Sequence, residues 1–176
     1  GHSMGGAVAT GIALEHPEWV RGLVLEDPAL LTAEQEAQYL ADAATRAERH
    51  ERALVDPVGQ VAWQLAEHPN CSAAELAGWL QAKVLFDPCF ADSGRVGLRR
   101  EGLMEQLRVP TLLVTGTREG SIFGPQGLEE RASVGNPLVR GVLIEEASHV
   151  VHRDQLEAFL EVSDTFLQHL SGQSGR

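Results

Sequence analysis

Basic residues, cysteines and long apolar runs are all scarce in this chain, and each shortage removes a class of function. Lys and Arg number 14 against 25 Asp and Glu, a formal charge of −11 over 176 residues. A chain with that balance is repelled by phosphate backbones and anionic lipid, so neither nucleic acid nor a membrane surface is an expected partner. No apolar run approaches the roughly 20 residues that cross a bilayer. The two cysteines, Cys71 and Cys89, fall in neither a CxxC nor a metal-ligating spacing, and two thiols make no disulfide framework. They read as free thiols of a reducing compartment, which makes the expected location cytoplasmic. Internal repeats and low-complexity stretches are missing too.

What is present is the ordinary mixture of a globular chain, 43% hydrophobic and 22% charged. The first segment, GHSMGGAVATGIALEHPEWV, is rich in small residues and predicts a closely packed helix that stops at His16-Pro17. Val20 to Leu25 follows as a short branched apolar run, the signature of a buried parallel strand, ended by Glu26, Asp27 and Pro28. From Ala29 to Arg108 the texture is helical, broken at Pro57, Pro69 and Pro88, and predicts four or five helices without a strand. Strand texture returns at Val109 to Thr115 and again at Leu138 to Ile144, and Val151 to Leu170 carries apolar residues at helical spacing. The alternation predicts an α/β architecture, with residues 1–28 and 109–170 as core, 29–108 as an inserted helical cap and 171–176 as a disordered tail.

Gly1-His2-Ser3-Met4-Gly5-Gly6 fits the G-x-S-x-G pattern of a nucleophile turn. The chemistry requires a serine on a tight strand-to-helix turn, in a sparsely allowed conformation, with its Oγ exposed. Small residues flank it because a Cβ at Gly1 or Gly5 is expected to strike neighbouring backbone. The helix that follows aims its N-terminus at the site, which makes the Met4 N–H a candidate oxyanion donor.

Three segments in order, GHSMGG through HPEWVRGLVLEDP, then VPTLLVTG, then ASHVVHRDQLEAFLEVSDTFLQHL, together resemble the α/β-hydrolase fold family over nearly the whole chain. The resemblance implies a C-terminal portion beginning at the nucleophile elbow, with the last three strands of a mostly parallel sheet and a cap at 29–108. It also implies that earlier strands, and the loop giving a second oxyanion N–H, lie outside this chain. The segment by itself is then expected to be inactive, with an open apolar edge beside its first strand.

The family's order of nucleophile, acid and base points to Ser3 and His149, which precedes the last helix. Ser148 stands where members usually carry glycine. His152 is the competing base, read as a polar residue at the rim, and His2 reads as a packed or hydrogen-bonded elbow residue. A His149/His152 metal site lacks a third ligand. For the acid, Glu119 occupies the slot after the second strand where the family carries Asp, and it is favoured here over Glu26 or Asp27 after the first. Serine rather than aspartate as nucleophile disfavours epoxide opening and halide displacement. The implied cycle is acyl transfer on a small apolar carboxylic ester or lactone, with no metal or organic cofactor. A C–C bond hydrolase, an aminopeptidase and a non-enzymatic ligand-binding protein are the alternatives. Trp63, Trp79, Leu85, Phe86 and Phe90 are candidate pocket walls, most of them expected to form the cap's own core.

Overall fold

The computed structural model describes residues 1–87, 93 and 95–173. Cys89, Phe90 and the break at Pro88 lie outside the described residues. Two compact units are present: residues 1–32 with 97–176, and residues 33–96.

In the first unit, the elbow helix α1 (Ser3–Glu15) and a 3₁₀ turn (Pro17–Trp19) lead into strand β1 (Leu23–Glu26). Strand β2 (Leu30–Leu31) is short. Helices α2 (Ala33–Ala41), α3 (Ala43–Val55), α4 (Pro57–Glu67) and α5 (Ala73–Leu85) make up the described elements of the second unit. The chain returns through β3 (Leu98–Arg99), β4 (Thr111–Gly116), α6 (Gly124–Val134) and β5 (Val139–Ile144), then α7 (Val151–Asp154) and α8 (Leu156–Gln173).

The main sheet has the order β1-β4-β5 and is parallel throughout, with Leu23 opposite Thr111 and Thr111 opposite Val139. All six residues of β4 are buried, which is why its sequence reads as an unbroken apolar run rather than an alternation. Leu112 and Val114 face Ile144, Val151 and Phe166, and Phe159, Val162 and Leu170 of α8 pack against the same cluster. Small residues let α1 approach closely: a Cβ on Gly6 would stand 2.8 Å from the Pro28 side chain. At the outer edge of β1, the Gly1 carbonyl accepts the Glu26 N–H at 2.9 Å and His2 forms a parallel bridge to Glu26.

Four expectations need correction. Strands do occur between 29 and 108, since β2 and β3 form a two-stranded parallel pair; they belong to the first unit, which narrows the helical unit to 33–96. The last helix is two helices, because Gln155 leaves helical geometry at φ −140° and ψ 64°. It also runs past the expected tail boundary, to Gln173. Within the helical unit Trp63 and Leu85 are exposed, so they are not its core; among the described residues, Ala53, Cys71 and Leu76 are its buried apolar positions. Trp79, carrying the Lys83 ammonium 5.3 Å above its ring, and Phe86, tilted against His50, are half-buried. No described helix is long and apolar enough to cross a membrane.

Candidate active site

Chemistry-bearing residues gather at the C-terminal ends of the parallel strands, where open α/β sheets place their ligands. Backbone strain collects there as well. Among the described residues, Ser3 (φ 52°), Asp27 (φ 34°) and Glu146 (φ 57°) are the non-glycine residues with positive φ, a conformation that costs about 1–3 kcal/mol each. Ser3 opens α1, so its turn is followed at once by a helix N-terminus. The first four N–H groups of a helix have no intrahelical acceptor, Met4's among them, and they carry the positive end of its dipole.

Asp27 follows β1 and is fully buried, and its carboxylate is surrounded by donors. Thr115 Oγ1 donates to Oδ1 at 2.5 Å, and the N–H groups of Phe123 and Ile122 donate to Oδ1 at 3.0 Å and Oδ2 at 2.7 Å. The N–H of Gly124, the first residue of α6, donates to Thr115 Oγ1 at 3.0 Å. A helix N-terminus is therefore turned on a carboxylate, a favourable pairing of charge and dipole. His149 Nδ1 completes the set, 2.6 Å from Asp27 Oδ2. Burial is the largest single influence on this carboxyl and pushes its pKa up; the bonds from His149, Thr115 and Ile122 outweigh it and hold the group below the ordinary 3.8. Asp27 is thus ionised, His149 donates its Nδ1–H, and Nε2 is left as the basic nitrogen.

Arg100, only 3% exposed, supports this cradle from behind. Its guanidinium lies 5.3 Å from the Phe123 ring centroid, donates to the Phe123 carbonyl at 3.5 Å and reaches Glu130 Oε1 at 2.9 Å. The loop carrying His149 is fixed just as firmly. Ser148 gives both its N–H (2.7 Å) and its hydroxyl (2.6 Å) to buried Asp154. These bonds tie the residue before His149 to the last residue of α7.

The structure brings His149 to Asp27 and not to Glu119. Glu119 is exposed in the turn after β4, while the backbone donors beyond it, at Ile122 to Gly124, converge on the carboxylate at the end of β1. The expectation for the acid is corrected accordingly. Glu26 is engaged separately: it accepts from His152 Nδ1 at 2.7 Å and from the His152 N–H at 2.8 Å. Its pKa is also lowered, the bonds from His152 overcoming burial. His2 Nε2 lies 3.0 Å from the His149 carbonyl, which only accepts, so His2 carries its proton on Nε2. Burial first, then the neighbouring His149, pushes this imidazole below its ordinary 6.5 and keeps it neutral at pH 7.

Sequence reasoning missed Thr115, Arg100 and the Ile122–Gly124 amides. A signal existed for Thr115, a hydroxyl inside a buried strand that needs a partner. Among the described residues, no group of three or more His, Cys, Asp or Glu is disposed to hold a metal ion.

A pH prediction follows from Asp27 and Glu26. Both have folded pKa values below their unfolded values, so the unfolded chain binds more protons in acid. The stability they contribute is fully present above their ordinary values of 4.5 and 3.8 and is lost as pH falls through the lower, folded values. Urea unfolding between pH 3 and 7 should show stability falling below about pH 4.5, with a shallower fall in Asp27→Asn.

Fold and site together define a member of the α/β-hydrolase fold. Residues 1–155 match the protein family described as "Serine aminopeptidase, S33", and the chain belongs to that family. No curated protein matches it in sequence. Among solved structures it is similar to Rv0554 from Mycobacterium tuberculosis, with a TM-score of 0.66 and 17% identity over 96% of this chain and 64% of that one. A thermophilic esterase from Thermogutta terrifontis has a TM-score of 0.60 and 22% identity, over 97% of this chain and 64% of its own. The proline iminopeptidase of Mycobacterium smegmatis has a TM-score of 0.64 and 18% identity, over 99% of this chain and 65% of its own. At these identities the likeness is one of fold, and the chain spans slightly less than two thirds of each relative.

Proposed function

We propose that this chain belongs to a serine hydrolase that works by acyl transfer. Ser3 is the nucleophile, His149 the general base and then acid, Asp27 the triad carboxylate, and the Met4 N–H an oxyanion donor. The observation that carries this reading is the 2.6 Å bond from His149 Nδ1 to buried Asp27, at the sheet end where Ser3 holds its strained turn. In the cycle, His149 Nε2 takes the Ser3 hydroxyl proton as Oγ attacks the substrate carbonyl. The negative oxygen that develops is met by the N-terminus of α1. His149 returns the proton to the leaving group, and water then releases the acyl group by the same route. Asp27 holds the imidazole in the required tautomer and stabilises the imidazolium.

The proposed substrate is a small apolar carboxylic ester or lactone. A second reading, hydrolysis of an N-terminal aminoacyl amide, is favoured by the family's description and by the likeness to a proline iminopeptidase. The chain spans 64% of the first of its structural relatives, so the activity is assigned to the complete protein that carries it.

Intact-mass analysis after a fluorophosphonate probe tests the reading. One adduct is expected on the complete protein and none on Ser3→Ala. A panel of esters against aminoacyl amides then separates the two substrate classes. A folded protein that forms no adduct, and binds ligand equally with and without Ser3→Ala, would instead be a ligand-binding relative without triad chemistry.

A further inference from the structure

Beside the proposed triad stands a second carboxylate–histidine pair that the acyl-transfer cycle does not use. β1 ends in two consecutive carboxylates, and the 149–152 segment carries two histidines three residues apart. Asp27 takes His149, and Glu26 takes His152. The second pairing is as complete as the first. Glu26, buried to 5% exposure, lies 2.7 and 2.9 Å from His152 Nδ1 through its two oxygens. It accepts the His152 backbone N–H as well, at 2.8 Å, and so caps the first turn of α7 with the same carboxylate that holds the ring. The His2 ring closes the group, 4.6 Å from the His149 ring and 6.2 Å edge-on from the His152 ring.

A buried carboxylate is costly unless it is paired and hydrogen-bonded, and His152 supplies both, through its ring and its backbone N–H. We infer that Glu26 and His152 form a positioning pair for the base, fixing the backbone of residues 149–152 so that the His149 ring keeps its place between Asp27 and the nucleophile turn. This inference rests on the triad reading above. The base is then held through its ring by Asp27, its carbonyl by the His2 Nε2–H, the residue before it by the Ser148–Asp154 bonds, and its following turn by Glu26. The anchor at Glu26 is the one that pairs a carboxylate with a second imidazole beside the base. Glu26 and Asp27 are adjacent on one strand end, so the pair also sets the spacing of the two histidines against that strand. Displacing a reacting group by about 1 Å costs up to ~10²-fold in rate, which sets the scale of the expected effect.

The test combines fluorophosphonate labelling of Ser3 with proton NMR of the imidazole N–H signals in the complete protein. Protons in short charge-assisted bonds to carboxylates resonate far downfield of amides, so His149 and His152 each give a signal. Asp27→Asn identifies the first and His152→Gln the second. In Glu26→Gln we expect labelling to slow roughly ten- to a hundredfold, with the probe's binding constant unchanged and the His149 signal shifted or broadened. The double variant with His152→Gln should be no slower than either single one, since residues acting as one unit are not additive. A lesion that merely loosened the fold would lower the melting temperature without moving the His149 signal. Should Glu26→Gln fail to fold, His152→Gln, at a side chain 31% exposed, carries the test alone. Labelling and a His149 signal both unmoved in these variants, while Asp27→Asn abolishes both, would overturn the positioning role and leave the triad standing. A wild-type protein that does not label at all would overturn the triad, and the pair's role with it.

Discussion

In Asp27→Asn, the fluorophosphonate adduct on Ser3 should form on the order of 10⁴-fold more slowly, the loss expected when an amide replaces a triad carboxylate, whereas Glu119→Gln should label at the wild-type rate. Asparagine is nearly isosteric, but it offers one oxygen to donors that now divide between two, Thr115 and Phe123 on Oδ1 and Ile122 on Oδ2. What changes is the atom facing His149. If the amide turns its NH₂ toward Nδ1, the imidazole must protonate at Nε2 instead, and the nitrogen required as base is blocked. If it turns its oxygen, the NH₂ opposes the inward-pointing backbone donors, leaving buried polar groups unpaired. Either orientation removes the charge that stabilises imidazolium. Glu119, exposed after β4, has none of these relationships. Second-order labelling rates of the two variants, with circular dichroism to check folding, decide the matter. A strong effect from Glu119→Gln with a mild one from Asp27→Asn would return the acid to the position after β4.

That contrast also marks how far the sequence could be read. The nucleophile turn was legible because its requirements are local: a serine, its flanking glycines, then a small-residue helix and an apolar strand. Chain order singled out His149, the histidine that lies against Asp27. Its carboxylate partner was not legible, because two carboxylate positions follow two strands and the local sequence around each is compatible with that contact. Choosing between them depends on donors that arrive from 88 to 97 residues away, at Thr115, Ile122, Phe123 and Gly124. Backbone amides carry no side-chain signature, so no pattern announces that α6 aims its N-terminus at Asp27. The two-residue strands β2 and β3 were invisible for a different reason: they are too short for any periodicity to register. The division of the last helix is a departure of one residue, Gln155, from helical geometry, inside what reads as one amphipathic run.

The glycines of the nucleophile turn give the other large expected effect, and here the structure separates residues the motif treats alike. A Cβ on Gly1 would stand 2.5 Å from the Gly5 carbonyl oxygen, 2.7 Å from its carbon and 2.8 Å from the Gly6 nitrogen. All three are backbone atoms of the first helical turn, so no side chain can swing aside. A Cβ on Gly5 meets nothing within 4 Å, contrary to the expectation that both positions exclude one. Gly1→Ala should therefore destabilise this chain by about 1–3 kcal/mol, toward the upper end because the obstacle is main chain. At about 2–4 °C per kcal/mol for a chain of this size, that is a drop of several degrees in melting temperature. Because relief requires Gly1 and the first turn of α1 to move apart, and Ser3 lies between them, labelling of Ser3 in the complete protein should fall with it. Gly5→Ala should raise stability by roughly 0.5–1 kcal/mol, the ordinary gain from replacing glycine inside a helix. Thermal unfolding by circular dichroism of the two variants side by side checks the pair. Equal losses at both positions would mean that the turn demands glycine for its backbone conformation; opposite signs would mean that the demand is one of space, made at Gly1 by the carbonyl of Gly5.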